Sequence, residues 1–300
     1  MSADLPIGNT PLVRLRRLPA GRTAAEIHVK CEWLNPGGSV KDRPAYFMIR
    51  DAAQRGLLAD GRALLDSTSG NTGIALAQIG AAGGHRVTLC LPANASTVRQ
   101  RLLRLLGAEL ILTDPLEGDD GARAVARRMA AEEPHRYVYL DQYSNPMNWR
   151  AHYEGTAREL WEQTGGRITH FVACMGSSGT FTGVSRRLLE LNPAVQRIAV
   201  QPDAAYHGIE GTKHYESTEV PPIFDATLVH RQVEVSTDEA VEMAHRLARE
   251  EGLPAGTSGG AAVAAALKVA NGLPGGLVVA ILPDNVIKSL ASAAWEDARP

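Results

Sequence analysis

The sequence predicts an α/β protein in two domains, each a twisted, mostly parallel sheet flanked by helices. Three observations carry this. Short apolar runs alternate with longer amphipathic stretches along the 300 residues, the pattern of repeated strand–helix units. Runs such as "HFVACM" and "LVVAIL" carry no polar alternation, as strands covered on both faces do. The length suits one large domain or two medium ones.

Taken in order, the predicted strands are Ile27–Trp33, Ala63–Asp66, Arg86–Leu91, Leu110–Thr113, Tyr137–Leu140, Ile168–Cys174, Arg197–Gln201, Gln232–Val235 and Leu277–Leu282. Amphipathic helices are expected over Ser96–Leu106, Ala122–Glu132 and Thr237–Glu251, and helices opened by glycine-rich turns over Ile74–Ala82, Phe181–Leu189 and Ala261–Ala270. Residues from about Ser39 to Gln142 hold several strand–helix units, and a second set starts near Asn148, with the strand near residue 30 grouped with that second set. The stretch Asp203–Asp225 is polar and aperiodic and includes Pro221 and Pro222. Irregular segments of that length inside a compact domain are usually functional or mobile.

Composition excludes several classes. The net charge of −2 lacks the basic excess of a surface that tracks nucleic-acid phosphates. No apolar run approaches the roughly 20 residues that span a membrane. The start, "MSADLPIGNTPLVRL", has no basic region followed by an apolar core, so no secretory signal is expected. Cys31, Cys90 and Cys174 are odd in number and widely spaced, which fits buried thiols in a reducing cytoplasm. None of the nine histidines stands in a metal-binding spacing, and no metal is expected.

Chemistry enters with "NPGGSVKDRP", residues 35–44. Only five of the 31 basic residues are lysines: Lys30, Lys41, Lys213, Lys268 and Lys288. A guanidinium stays protonated, whereas a desolvated lysine can serve as a nucleophilic amine or a base. Lys41 in a Gly-Ser turn is therefore singled out, although a solvated helix-start lysine is the plainer reading. Three further turns open helices. Ser67–Gly73, "STSGNTG", crowds hydroxyls, a carboxamide and backbone N–H groups at a helix start, which suits a carboxylate or phosphate. Gly176–Thr180, "GSSGT", follows a buried strand and reads as a phosphate cradle. It is neither a Walker A loop nor G-x-G-x-x-G. Gly256–Gly260, "GTSGG", formally matches the hydrolase elbow G-x-S-x-G but follows a helix end rather than a strand, so that reading is set aside. Plain helix capping by Ser258 is the alternative there. An amine, two anion cradles and a hydroxyl at a further helix start together suit pyridoxal 5'-phosphate holding an amino acid.

The sequence resembles the cysteine synthases among the fold-type II pyridoxal-phosphate enzymes, whose fold is tryptophan synthase β-like. The likeness runs from "IGNTPLVRL" at Ile7 to "VVAILPD" ending at Asp284, through "NPGGSVKDR", "TSGNTGIALA", "QYSNPMN", "MGSSGTFTGVSR" and "AGTSGGAAVAAAL". It implies a smaller mobile domain over residues 38–145 and a larger one over 1–37 plus 146–300. By position it implies that Lys41 is the Schiff-base lysine and the base for the α-proton, and that Asn71 bonds the cofactor's ring hydroxyl. Thr68, Ser69, Asn71 and Thr72 would close on the substrate carboxylate, with Gln142 facing it. Gly176, Ser177, Ser178, Gly179 and Thr180 would hold the cofactor phosphate, and Ser258 would meet the pyridine nitrogen. The implied reaction makes L-cysteine from an O-activated serine, O-acetylserine or O-phosphoserine, and sulfide or another sulfur donor, through an α-aminoacrylate. A cytoplasmic homodimer is implied as well.

The phosphate loop and "HGIEGTKHY" resemble the B-type cysteine synthases, and for O-phosphoserine Lys213, His214 and Arg99 are candidate cations near the leaving group. The ending "DNVIKSLASAAW" resembles cystathionine β-synthase cores. Two alternatives therefore stay open: a cystathionine β-synthase-type or other β-replacement from serine, and a non-catalytic pyridoxal-phosphate-binding regulatory protein.

Overall fold

The computed structural model describes residues 5–68, 70–290 and 295. Over these residues the chain divides into two compact units, one of Met1–Ile7 with Lys41–Asn148 and the other of Gly8–Val40 with Trp149–Pro300.

Unit 1 is built on a parallel sheet of β3 (Ala63–Ser67), β4 (Val87–Pro92), β5 (Glu109–Thr113) and β6 (Tyr137–Tyr139), in the order β5-β4-β3-β6. In register, Leu64 pairs with Val87 and Thr88 with Glu109. Side chains of β3 alternate between two apolar layers, as the period of 2 requires. Leu64, with Leu89 and Leu91 of β4, meets α1 (Asp42–Gln54) and α2 (Asn71–Ala82) through Met48, Ile49, Ile74 and Leu76. Ala63 and Leu65, with Cys90, meet α4 (Gly118–Glu132) through Ala122 and Ala126. The amphipathic α3 (Thr97–Leu105) turns Leu103 into the first layer.

Unit 2 is built on six strands in the order β1-β2-β10-β7-β8-β9. They are β1 (Leu12–Arg14), β2 (Glu26–Cys31), β7 (His170–Cys174), β8 (Gln196–Pro202), β9 (Arg231–Val235) and β10 (Leu277–Leu282). Only β1 runs antiparallel to its neighbour. One face packs Val172, Val200, Val278 and Ala280 on α8 (Thr237–Arg246) and α9 (Thr257–Ala270). The other packs Phe171, Ala173, Val279 and Ile281 on α6 (Ala157–Thr164) and α7 (Gly179–Leu191). Although β10 comes last in the chain, it lies between β2 and β7. The chain leaves β7 for β8 at its carboxyl end, the side on which open α/β sheets place their ligands. Helix α9 is buried nearly all round. It can sit so close to α8 because Gly260 has no side chain, since a Cβ there would strike the Ala240 carbonyl.

The structure differs from the sequence expectations at several element ends. The strand expected over Ile27–Trp33 stops at Cys31, and Glu32–Leu34 forms a 3-10 turn. That turn lets the buried Glu32 carboxylate accept the Thr10 hydroxyl at 2.7 Å. Strand β1 lies within "IGNTPLVRL" and was not anticipated. The helix expected over Thr237–Glu251 closes its α-helical part at Arg246 and widens into a π-helical turn over Leu247–Glu251. Helices α2, α7 and α9 each begin inside their glycine-rich turns, at Asn71, Gly179 and Thr257.

Candidate active site

In unit 1, Lys41 occupies the N-cap position of α1, half-buried, and its carbonyl accepts the Ala45 N–H at 3.1 Å. Asp42 and Arg43, directly after it, are buried. The second cluster follows β3. Thr68 is fixed by its own N–H to the Cys90 carbonyl at 3.0 Å, and its hydroxyl accepts the Gly70 N–H at 3.1 Å. Ser69 lies outside the described residues. Gly70 is the N-cap of α2 and supplies no side-chain cap. Asn71 and Thr72 are therefore the first two helical residues, at the end of α2 where the helix dipole favours an anion.

Gln142 joins this cluster from a position 70 residues further along. Its Oε1 accepts the Thr72 hydroxyl at 2.8 Å and its Nε2 donates to the Ser67 carbonyl at 3.3 Å. Its backbone is fixed too: the N–H donates to Asp66 Oδ2 at 3.3 Å, and the carbonyl accepts from Asn148 Nδ2 at 2.6 Å. Gln142, Asn148 and Asp66 are all buried. Unit 1 thus brings Thr68, Thr72 and Gln142 together beside Asn71 at one helix start.

Asp66 is a residue the sequence reading passed over. Its carboxyl is pushed up to about 7 by complete burial, with nearby Asp141 raising it further; the N–H groups of Ser67 and Gln142 and the Arg123 guanidinium oppose the shift. Burial dominates because a charged carboxylate cannot recover its hydration from two amides. A lone acid ending an otherwise apolar strand, "ALLD", is the signal that could have found it.

In unit 2, the turn after β7 supplies Gly176 to Thr180. Ser178 is the N-cap of α7 in a left-handed conformation (φ 66°), with no side-chain cap, and Gly179 and Thr180 open the helix. The loop carries hydroxyls and amides but no carboxylate. Thr180 Oγ1 lies 3.3 Å from His152 Nε2, and His152 Nδ1 lies 2.9 Å from Thr156 Oγ1. The short α5 (Pro146–Ala151) runs into a π-helical turn, His152–Thr156, begun by the buried His152, and this widened turn aims it at α7. His152 was likewise not singled out from sequence; only the turn's geometry brings it there.

Ser258 lies at the second position of α9 and is buried. Plain capping does not explain it: the N-cap is Gly256, and that cap makes no side-chain hydrogen bond. Ser236 shows what a capped start looks like here, with a full capping box to Glu239 at α8. Ser258 is held near the end of β7, its carbonyl accepting from Cys174 Sγ at 3.2 Å. The Gly256 turn is pinned by its N–H to the Asp284 carbonyl at 3.2 Å. Of the candidate cations for a leaving group, Arg99 is half-buried on α3 in unit 1. In unit 2, His214 pairs with Glu216 at 3.5 Å, and the Lys213 backbone N–H bonds Met175 at 2.9 Å.

Two largely parallel sheets, each ending in glycine-rich turns that open helices without side-chain caps, give a scaffold whose helix starts suit anionic groups. A family model described as "Pyridoxal-phosphate dependent enzyme" matches residues 3–284. The chain is 49% identical over 297 residues to the cysteine synthase of Aquifex aeolicus, covering 97% of this chain and 91% of that protein. It is 46% identical over 290 residues to cysteine synthase B of Pseudomonas aeruginosa, covering 97% and 96%. The crystal structure of the cysteine synthase of Entamoeba histolytica superposes with a TM-score of 0.92 at 36% identity, covering 98% of this chain and 90% of that one. The chain belongs to the pyridoxal-phosphate-dependent enzymes and, within them, to the cysteine synthase family.

The residues present fit that cofactor. A turn with several amide and hydroxyl donors and no acidic side chain, at the start of an uncapped helix, suits a phosphate. A buried neutral hydroxyl at Ser258 suits an unprotonated ring nitrogen.

Proposed function

We propose that this enzyme makes L-cysteine by β-replacement, exchanging the oxygen substituent of an O-activated serine for sulfide. The bound cofactor supplies an electron sink for the α-carbon of the amino acid. Lys41 holds the cofactor's aldehyde carbon and, once released, moves the α-proton. Asn71 donates to the cofactor's ring hydroxyl. The 176–180 loop holds its phosphate. Ser258 meets the ring nitrogen with a neutral hydroxyl, which does not hold a proton there. That keeps the sink mild and favours loss of the β-substituent over transamination.

The observation that carries this reading is the Thr72–Gln142 clamp at the α2 start. It fixes the Gln142 amide before substrate arrives, so that a carboxylate meets a preorganised donor. Gln142 Nε2 keeps a second proton beyond the one given to Ser67. Thr68, Ser69, Asn71, Thr72 and Gln142 bind the α-carboxylate, and closing of the Thr68–Thr72 loop excludes water from the reaction. The leaving group departs as acetate or phosphate, and sulfide adds at Cβ. The 38–145 region acts as the smaller, mobile domain.

The enzyme works as a homodimer in the cytoplasm. Its three cysteines are free thiols, two of them buried, which supports a reducing compartment. Among the described residues no helix is long and apolar enough to cross a membrane.

The test is a substrate panel: O-acetylserine, O-phosphoserine and serine, each with sulfide and with homocysteine. Cysteine formed from an O-activated serine with ping-pong kinetics is expected. Turnover only of serine with homocysteine, or no turnover at all, overturns the reading.

A further inference from the structure

The irregular stretch after β8 holds residues the reaction above does not use. Its segment 208–215 lies as a strap across the turn that follows β7. The Lys213 N–H donates to the Met175 carbonyl at 2.9 Å, and the Tyr215 hydroxyl donates to the Gly176 carbonyl at 3.0 Å. The Tyr215 ring is held edge-on by Phe224, with centroids 5.1 Å apart. At its other end the strap is stitched to the helix starts. Gly208 N–H donates to Thr237 Oγ1 at 2.8 Å, and Glu210 N–H to Thr257 Oγ1 at 3.0 Å, the residue before Ser258. Ile209 is buried in the unit 2 core. The approach is close: a Cβ on Gly176 would strike the Gly211 carbonyl.

The consequence follows from peptide geometry. There are no cis peptides among the described residues, and in a planar trans peptide the C=O and N–H point in opposite directions. In an extended strand, successive carbonyls point to opposite sides. Here two successive carbonyls, of Met175 and Gly176, both reach the strap. The N–H groups behind them, of Gly176 and Ser177, therefore lie together on the side away from it. Paired amides of this kind form an anion-binding nest.

We propose that Tyr215 is the positioning residue of the phosphate loop: by holding the Gly176 carbonyl it turns the Ser177 amide into a donor for the cofactor's phosphate. This rests on the assignment of the 176–180 loop made above. The strap, on this account, is a device for reading the phosphate and has no part in holding the pyridine ring.

The experiment compares two probes on the full-length chain, pyridoxal 5'-phosphate and pyridoxal, which lacks the phosphate. Binding is followed by visible absorbance and by borohydride trapping with mass spectrometry. The unaltered chain prefers the phosphorylated probe. Tyr215→Phe keeps the ring against Phe224 but loses the donor. It lowers affinity for pyridoxal phosphate about tenfold and leaves pyridoxal binding unchanged. Gly176→Ala pushes the strap away at the Gly211 carbonyl, disturbs the Tyr215 contact indirectly and lowers the same preference. If Tyr215→Phe weakens both probes equally, or neither, while the unaltered chain still prefers the phosphorylated probe, the Tyr215 proposal is wrong. If the unaltered chain shows no such preference, the loop assignment fails and the proposal with it.

Discussion

The hydroxyl of Thr72 donates to Gln142 Oε1 across 2.8 Å, joining the first turn of α2 to a residue 70 positions later. Removing Gln142 strips the remaining Nε2 proton from the proposed carboxylate site, and removing Thr72 releases the Oε1 that orients it. Gln142→Ala raises KM for the amino-acid substrate by about tenfold to a hundredfold, the scale of a lost hydrogen bond to a charged group, and leaves KM for sulfide unchanged. Steady-state kinetics with each substrate varied in turn checks this.

The carboxyl of Asp66 makes stability depend on pH. Its folded value of about 7 lies above the ordinary 3.8. Between about pH 4 and 7 the unfolded chain is ionised at this residue while the folded one keeps its proton. The folded state thus binds more protons there, and stability falls as pH rises through that window, then levels off. The full effect is on the order of a few kcal/mol. Asp66→Asn keeps the shape and an acceptor oxygen but cannot ionise, so its share of the decline disappears. Thermal melts of both proteins from pH 4 to 8 measure the difference.

Lys30 is wholly buried in unit 2, its Nζ bonded to Glu159 Oε2 at 2.7 Å, Gln163 Oε1 at 2.8 Å and the Thr10 carbonyl at 2.6 Å. Lys30→Met leaves the Glu159 carboxylate buried without its cation and destabilises the protein by about 3–5 kcal/mol. Pairing it with Glu159→Leu recovers much of the loss. A double-mutant cycle by urea denaturation reads both.

Ser258→Asp places a carboxylate where the hydroxyl meets the ring nitrogen. The helix dipole favours an acid in the first turn of α9 and offsets part of the cost of burying it; a thermal melt of the variant checks that the fold is retained. By holding a proton on that nitrogen it slows loss of the β-substituent relative to the unaltered enzyme. Stopped-flow spectra after adding O-acetylserine follow that step; faster loss contradicts the role given to Ser258.

Much of this molecule is legible in the sequence where one residue type carries one message. The run "LVVAIL" predicts β10 to the residue, because a strand buried on both faces needs no partner to explain its composition. The glycine-rich turns mark helix starts for the same reason: their small residues serve backbone geometry. What stays hidden depends on distant partners. Lys30 reads as one of five lysines until Glu159, 129 positions away, is placed beside it. Glu32 reads as strand until the Thr10 hydroxyl claims its carboxylate. The π-helical turns at His152–Thr156 and Leu247–Glu251 leave no mark in residue type, because the widening lies in which backbone carbonyl each N–H bonds and needs no particular side chain. Tyr215 stands in a stretch without period, and its role follows only from the carbonyl it holds.

The amine at position 41 is the centre of the account. Borohydride reduction of the coloured protein, followed by digestion and peptide mass spectrometry, tests it most directly. A phosphopyridoxyl group on the peptide carrying Lys41, absent from Lys41→Ala, is the result predicted. A label on Lys30, Lys213, Lys268 or Lys288, or no label on a protein that binds the cofactor, would contradict it.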